Sequence, residues 1–289
     1  MVIRRVIVAM AAALLGPHAV PADRAMDIPD IEYAQVDGKS LRLDLHLPAK
    51  SGEAHPLLVW VHGGAWYAGS KQDYPAAFVR HGVAVASVEF RQSTEARFPA
   101  NVHDIKAAIR FLRARAAEYG LHADRIAIAG ASSGGHLAAL VGVTNGHAAL
   151  EGTVGEHLDQ SSSVQAIISY YGASNLTTIL GQSTPFGLKV RRPALERLLG
   201  ALPESVPQLA RLASPVMHVD RGDPQLLLFH GDQDPQMPIN QAHELEGAYQ
   251  QHGLAVQLRV LHGVAHGGSA FYEGESLDQA LRFLREQLR

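Results

Sequence analysis

Short apolar runs recur along most of the chain, separated by stretches of mixed polarity. A continuous apolar run of about four to eight residues is typical of a strand that is buried on both faces of a sheet. Residues 41–47 instead alternate strictly between apolar and polar side chains, which indicates a half-exposed strand with residues 31–36 as its hairpin partner. The continuous runs lie at residues 57–61, 83–88, 126–129, 166–169, 225–229 and 256–261.

Between these runs, the apolar positions follow a helical period. Within residues 100–119 the apolar side chains recur three and four positions apart, and Gly120 ends the pattern. Further helices are predicted at residues 241–251 and 277–288. Strands that alternate with helices build a mostly parallel sheet covered on both faces. We therefore predict an α/β fold with an eight-stranded sheet and helices on both faces.

Two stretches interrupt this alternation. Residues 145–163 are polar and predict a long loop. Residues 171–224 carry Thr, Pro, Arg and Gly with short helical segments such as residues 194–199, and lie between two core strands. Loops at the carboxyl ends of parallel strands build binding sites, so we expect this insertion to form a small cap over a pocket.

Composition narrows the classes of function. The 289 residues are 47% hydrophobic and 18% charged, which is ordinary for a globular protein. The formal net charge is −3 and no run of Lys or Arg is longer than a pair, so a nucleic-acid partner is not expected. The chain has no cysteine, which excludes disulfides, thiolate metal ligands and a cysteine nucleophile. We expect neither a metal site nor a cofactor.

The first residues differ in character from the rest of the chain. Arg4 and Arg5 precede an unbroken apolar run at residues 6–15, and small side chains follow at residues 20–22. This arrangement is typical of a secretory signal peptide, and the run is too short to span a bilayer. We predict that residues 1–22 are a signal peptide, that residues 26–289 form one domain, and that the protein is periplasmic or secreted without a membrane anchor.

A candidate nucleophile lies between a predicted strand and a predicted helix. Residues 130–134 read Gly-Ala-Ser-Ser-Gly, a G-x-S-x-G pattern with Ser132 at its centre. In a sharp strand-to-helix turn the central serine sits on strained backbone and its hydroxyl is exposed. A serine hydroxyl is a poor nucleophile by itself, so the interpretation requires a base, an acid and an oxyanion site.

The segment after residues 57–61 is a candidate oxyanion site. It reads His-Gly-Gly-Ala-Trp, and its adjacent glycines allow backbone N–H groups to approach a developing oxyanion. The N–H after the nucleophile is the expected second source of donors. The predicted oxyanion hole comprises Gly63, Gly64, Ala65 and Ser133. Trp66 and Tyr67 either line the substrate pocket or pack in the ordinary way.

The acid and the base are each expected after a late strand. Asp232 and Asp234 both follow residues 225–229, and Asp234 begins a loop held by Pro235. A family resemblance, carried by motifs along the chain, is the main reason to favour Asp234 over Asp232. His262 and His266 both follow residues 256–261. His266 is favoured because it lies among small residues in a loop, whereas His262 still belongs to the strand end. The order Ser132, Asp234, His266 is the chain order of α/β-hydrolases.

Several separated motifs occur in one order and carry a family resemblance. The chain resembles the α/β-hydrolase esterases related to acetyl-xylan and feruloyl esterases and to kynurenine formamidase, from about Leu41 onward. Two residues depart from the usual pattern, Ser133 at a position where alanine is usual and Met237 where valine is usual. The matching segments are His62 to Trp66, Phe98-Pro99-Ala100 with Asp104, Asp124 to Ile126, Gly130 to Leu137, Ser214-Pro215, and His230-Gly231 with Asp234 and Pro238.

The resemblance implies an α/β-hydrolase fold and a serine carboxylesterase. It implies short acyl groups, such as acetyl or feruloyl groups on plant polysaccharide, so the expected partner is a small or polysaccharide-linked ester. An amidase, peptidase or formamidase of the same fold is one alternative. A non-catalytic ligand-binding protein of this fold is another, although such proteins typically lack a member of the triad. The oligomeric state is left open.

Overall fold

The computed structural model describes residues 25–49 and 53–289. The predicted signal peptide, residues 1–22, therefore lies outside the described residues. Among the residues that are described, no helix has both the length and the apolar character needed to cross a membrane.

An eight-stranded sheet forms the centre of the molecule, with the strand order β1-β2-β4-β3-β5-β6-β7-β8. The first two strands form an antiparallel hairpin, β2 also pairs antiparallel with β4, and every later pairing is parallel. The strands are β1 (Met26–Val36), β2 (Lys39–Leu47), β3 (His55–Val61), β4 (Ala84–Val88), β5 (Leu121–Ala131), β6 (Ala166–Tyr170), β7 (Gln225–Gly231) and β8 (Val256–Leu261). The predicted mostly parallel eight-stranded sheet is confirmed.

The helices are distributed along the chain between the strands. They are α1 (Ala77–Arg80), α2 (Ala100–Ala114), α3 (Ala116–Tyr119), α4 (Ser133–Gly142), α5 (Ala148–Glu151), α6 (Ile179–Gln182), α7 (Pro185–Leu199), α8 (Pro207–Leu212), α9 (Asn240–Gln251) and α10 (Gly274–Gln287). Gly120 ends α3 in the left-handed conformation, with φ of 66°, so the helix stops at the residue that the sequence indicated.

Hydrophobic clusters cover both faces of the sheet. Alternate residues of β3 show this: Leu57 and Val59 belong to one buried cluster, and Leu58 and Trp60 belong to the other. The first cluster includes residues of α2, α4 and α9, and the second includes residues of α1 and α10. This two-sided burial explains why the central strands are continuous apolar runs rather than alternating ones.

The two irregular stretches contain more helix than the sequence indicated. Residues 145–163, predicted as a loop, include the single-turn α5. Within residues 171–224, the short segment predicted at residues 194–199 is the end of the longer helix α7, which continues through Pro193. Thr184 caps α7 by accepting a hydrogen bond from the Gly187 N–H at 3.0 Å, so the helix begins nine residues before the predicted segment.

Candidate active site

Ser132 occupies the sharp turn between β5 and α4. Its backbone has φ of 55° and ψ of −120°, a conformation that costs energy for any residue with a side chain. The Ser132 N–H donates to the Tyr170 carbonyl at 2.9 Å, which anchors the strained turn to the neighbouring strand β6. A Cβ at Gly134 would lie 2.1 Å from the Val61 carbonyl oxygen, so only glycine permits this close approach of helix and strand. The predicted strand, turn and helix are all present.

The structure brings Ser132, His266 and Asp234 together in one hydrogen-bonded chain. His266 Nε2 lies 2.9 Å from Ser132 Oγ, and His266 Nδ1 lies 2.6 Å from Asp234 Oδ2. With Nδ1–H donating to the carboxylate, Nε2 is left as an acceptor for the serine proton. This arrangement has the geometry of a nucleophile, a general base and an orienting acid.

Asp234 is held in place by the backbone of its own loop. Its Oδ1 accepts hydrogen bonds from the N–H groups of Gln236 and Met237, both at 2.8 Å. Burial alone would raise the pKa of Asp234, but the hydrogen bond and charge of His266, together with those two amides, lower the pKa below its usual range. The buried carboxyl group therefore stays ionised and able to orient the histidine.

The loop after β3 lies directly beside the nucleophile. A Cβ at Gly63 would be 2.9 Å from the Ala131 carbonyl oxygen and 3.4 Å from Ser132 Cβ, so the loop touches the turn that carries Ser132. Among the described residues, the N–H groups of Gly64, Ala65 and Ser133 donate to no protein acceptor. Ser133 also begins α4, whose N-terminal dipole favours negative charge nearby. These groups remain the predicted oxyanion donors.

His262 and Asp232, the less favoured candidates for the base and the acid, form a separate pair. His262 Nδ1 lies 2.8 Å from Asp232 Oδ2, and Asp232 Oδ1 accepts from the Gly263 N–H at 2.8 Å. His262 and His266 have an H-x-x-x-H spacing, but each is engaged by a different carboxylate. Within the described part of the chain, no group of three or more His, Asp or Glu side chains is arranged to hold a metal ion.

Comparison with known proteins assigns the chain to a family. A family model described as BD-FAE matches residues 43–249, which is well over half of the chain. The chain belongs to the BD-FAE family. Esterase LipQ of Mycobacterium tuberculosis is 32% identical over 247 residues, which cover 83% of this chain and 56% of LipQ. The chain spans about half the length of the curated relatives it matches.

Solved structures of similar proteins have the same architecture as this BD-FAE family member. A truncated carbohydrate esterase from gut microbiota superposes with a TM-score of 0.83 at 29% identity, covering 93% of this chain and 98% of that chain. The esterase Est2 of Thermogutta terrifontis, bound to propionate, has a TM-score of 0.72 at 26% identity, covering 92% and 94%. The predicted α/β-hydrolase fold and esterase family are confirmed.

Trp66 and Tyr67 have different surroundings in this BD-FAE family member. Trp66 is fully buried in the hydrophobic core, and its Nε1–H donates to His136 Nδ1 at 3.0 Å. It therefore anchors the loop after β3 in the core, which favours the packing alternative over the pocket-lining one. Tyr67 is exposed, and the guanidinium of Arg197 in α7 lies 4.8 Å from its ring centroid. Tyr67 remains a predicted substrate contact.

Three polar side chains near the site were not assigned roles there by the sequence. His136 links Trp66 to the Ala213 carbonyl, which its Nε2 contacts at 2.7 Å. His230 Nε2 contacts the Met237 carbonyl at 2.9 Å, and Arg191 Nη2 donates to the Gln236 carbonyl at 2.6 Å. His230 and His136 both lie within segments that carry the family resemblance, so the sequence contained a signal for these two residues. Arg191 is 45 positions from its partner and carries no local signal.

Proposed function

We propose that this protein is a serine carboxylesterase that acts on short acyl esters through an acyl-enzyme. The observation that carries the proposal is the continuous relay from Ser132 Oγ to His266 and Asp234, at 2.9 and 2.6 Å. The resemblance to LipQ and to the carbohydrate esterase supports ester substrates. A complete relay also argues against the non-catalytic alternative.

The proposed reaction has two halves that use the same groups. In the first, Ser132 Oγ attacks the ester carbonyl carbon while His266 Nε2 takes the hydroxyl proton and then delivers it to the departing alcohol. In the second, water attacks the acyl-enzyme with His266 again as the base. Asp234 keeps the histidine in the required tautomer and stabilises its protonated form. The free N–H groups of Gly64, Ala65 and Ser133 would bind the oxyanion in both halves.

The nucleophile is tested by replacing Ser132 with alanine. Ser132→Ala should lower kcat for p-nitrophenyl acetate by about 10⁴- to 10⁶-fold with little change in substrate affinity, because only the attacking atom is lost. Steady-state kinetics on purified protein measure both quantities. A variant that keeps most of its activity would exclude the serine mechanism.

The acyl group is proposed to be short, from acetyl to butyryl. Est2, a relative at 26% identity, is described with bound propionate and with bound butyrate, which supports a small acyl site here. We expect kcat/KM for nitrophenyl esters to peak between two and four acyl carbons and to drop at least about tenfold by octanoyl, a loss of about 1.4 kcal/mol. A maximum at eight or more carbons would contradict this.

The same substrate series can include the compounds that separate the alternatives. Acetylated xylan and methyl ferulate probe the proposed polysaccharide-linked esters, and N-formylkynurenine probes the formamidase alternative. A preference for the formyl amide over every ester would indicate an amidase rather than a carboxylesterase. The proposed serine mechanism would be unaffected.

We also propose that the protein is exported to the periplasm or beyond. The charged start, the apolar run at residues 6–15 and the small side chains at residues 20–22 support this proposal. N-terminal sequencing of the natural protein should give a start near Asp23 in a fraction outside the cytoplasm. An intact Met1 on cytoplasmic protein would refute it.

A further inference from the structure

One peptide unit connects a buried arginine of the insertion to the catalytic carboxylate. The carbonyl of Gln236 accepts a hydrogen bond from Arg191 Nη2 at 2.6 Å. The N–H of the same peptide unit, which belongs to Met237, donates to Asp234 Oδ1 at 2.8 Å. A guanidinium that fixes and polarises the carbonyl end therefore orients and strengthens the N–H that holds the carboxylate.

The burial of Arg191 is difficult to explain by packing alone. Its side chain is nearly inaccessible to solvent, and its Nε has no hydrogen-bond partner within residues 25–49 and 53–289. Among the described residues, no carboxylate lies within ion-pair distance of it. Burial lowers the pKa of Arg191 to about 10, and the charge of Asp234 opposes that shift. A buried, incompletely paired guanidinium costs stability, and an apolar side chain of similar volume would avoid that cost.

A second buried side chain braces the next peptide unit of the same loop. His230 Nε2 donates to the Met237 carbonyl at 2.9 Å and lies 3.6 Å from Asp234 Oδ2. Thr184, at the start of α7, donates from its hydroxyl to the Pro235 carbonyl at 2.8 Å. The acid loop is therefore held from the strand side by His230 and from the insertion side by helix α7.

We propose that Arg191 is a positioning residue for the hydrolytic reaction, which acts on Asp234 through the Gln236–Met237 peptide and contributes a positive charge beside the Asp234–His266 pair. This inference rests on the proposed function for its kinetic consequences. It assigns part of the insertion, helix α7, a role in holding the catalytic machinery in addition to any role as a cap.

The charge has a predictable effect on proton uptake by the site. The charge of Arg191 acts on Asp234 and on His136 of α4. Asp234 in turn contacts His266 at 2.6 Å and lies 3.6 Å from His230. A fixed cation beside Asp234 opposes the gain of a further positive charge by the Asp234–His266 pair, because two positive charges repel each other. Removing the cation should therefore move the acidic limb of the pH–activity profile to higher pH.

Arg191→Met, Arg191→Lys and Arg192→Met form a matched series. Arg192 is the adjacent exposed arginine of α7, whose ion-pair partner is Glu204 at 3.9 Å, and serves as the control. We expect Arg191→Met to lower kcat about 10- to 100-fold with KM within about twofold of wild type, because orientation rather than binding is lost. The midpoint of the acidic limb of kcat/KM should rise by about 0.5 to 1 pH unit.

The conservative variant separates charge from geometry. Arg191→Lys keeps the positive charge but not the planar donor group, so its acidic midpoint should stay within about 0.3 pH unit of wild type while kcat falls at least about threefold. Arg192→Met should match wild type in both quantities. If Arg191→Met does not fold, the lysine variant decides: wild-type kcat overturns the proposal and the lowered kcat supports it.

A measurement without substrate keeps this inference separate from the proposed function. NMR of the imidazole ring protons can follow proton uptake by the Asp234–His266 pair without substrate, and in folded Arg191→Met the midpoint of that uptake should move upward by the same amount as the kinetic limb. In Arg191→Met, which removes the charge, a kcat loss without any shift in either midpoint would show a merely structural role and overturn the proposal, as would unchanged kcat. If no ester is hydrolysed but the NMR midpoint moves, the proposed function fails, while the charge that Arg191 contributes beside the Asp234–His266 pair is supported.

Discussion

Two histidine–aspartate pairs lie side by side at the ends of β7 and β8, and they differ mainly in their surroundings. His266 and Asp234 are 2.6 Å apart, with side chains 13% and 1% exposed. His262 and Asp232 are 2.8 Å apart, with side chains 85% and 29% exposed. Both pairs connect the same two loops through an Nδ1 atom. Residue type and pairing distance therefore do not distinguish the proposed catalytic pair from the surface pair.

The two pairs differ in the contact that the second ring nitrogen of each histidine makes and in how deeply each ring is buried. The Nε2 of His266 reaches Ser132, and its ring packs edge-on against Tyr171 at 4.8 Å between ring centroids. Tyr171 is itself fixed by a 2.6 Å hydrogen bond to Tyr272. The ring of His262, by contrast, is largely in water, where an ion pair contributes little because both charges are already well solvated.

The largest difference in kcat between the two pairs should appear when each aspartate is replaced in turn by asparagine. Asp234→Asn should lower kcat up to about 10⁴-fold, because an amide in place of the carboxylate favours the wrong histidine tautomer. Asp232→Asn should leave kcat nearly unchanged, because its partner His262 does not contact the nucleophile. Steady-state kinetics of the two variants with p-nitrophenyl acetate measure the contrast.

Protein stability provides the control for this comparison. Both variants should remain folded at neutral pH, as checked by circular dichroism and thermal unfolding. A large loss of kcat in Asp232→Asn, with activity retained in Asp234→Asn, would reverse the assignment of the acid and show that the loop geometry rearranges in solution.

The features that follow from local residue patterns could be predicted from the sequence. Those that depend on contacts between residues far apart in the chain could not. The eight strands and the turn at Ser132 follow from apolar runs and glycine positions. The preference for Asp234 over Asp232 depended on loop position and on family resemblance, since both follow the same strand. The bond between Arg191 and Gln236 joins an insertion to a core loop, and neither residue has a neighbouring pattern that indicates it. Trp66 was equally ambiguous, because an aromatic residue after Gly-Gly suits a pocket wall or a core.

His136 adds a third case to this comparison, because it is fully buried and has no carboxylate partner in the part of the chain that the structure describes. The indole N–H of Trp66 can only donate, so His136 Nδ1 must accept and its Nε2–H must donate to the Ala213 carbonyl. Burial is the main cause that lowers the pKa of His136 to about 4, with the charge of Arg191 acting in the same direction. The folded protein therefore holds this imidazole in its neutral form.

His136 should make the folded protein sensitive to acid. In the unfolded chain a histidine takes up its proton near pH 6.5, whereas in the folded chain His136 does so near pH 4. The unfolded state thus binds more protons between these values, so stability is present above about pH 6.5 and lost as the pH falls toward 4. The difference amounts to roughly 3 kcal/mol at its full extent. Urea unfolding of wild type and His136→Gln from pH 7.5 to 4.5 measures it.

Glutamine is the informative replacement because its amide has a donor and an acceptor but no proton to gain in this range. His136→Gln should start less stable at pH 7.5, since one amide cannot reproduce both ring hydrogen bonds, yet its free energy of unfolding should fall less steeply on acidification. His252→Gln, at an exposed histidine that follows α9, should retain the wild-type slope. Equal slopes for wild type and His136→Gln would mean that the buried imidazole accepts a proton without unfolding, and that water reaches the space around His136 and Trp66.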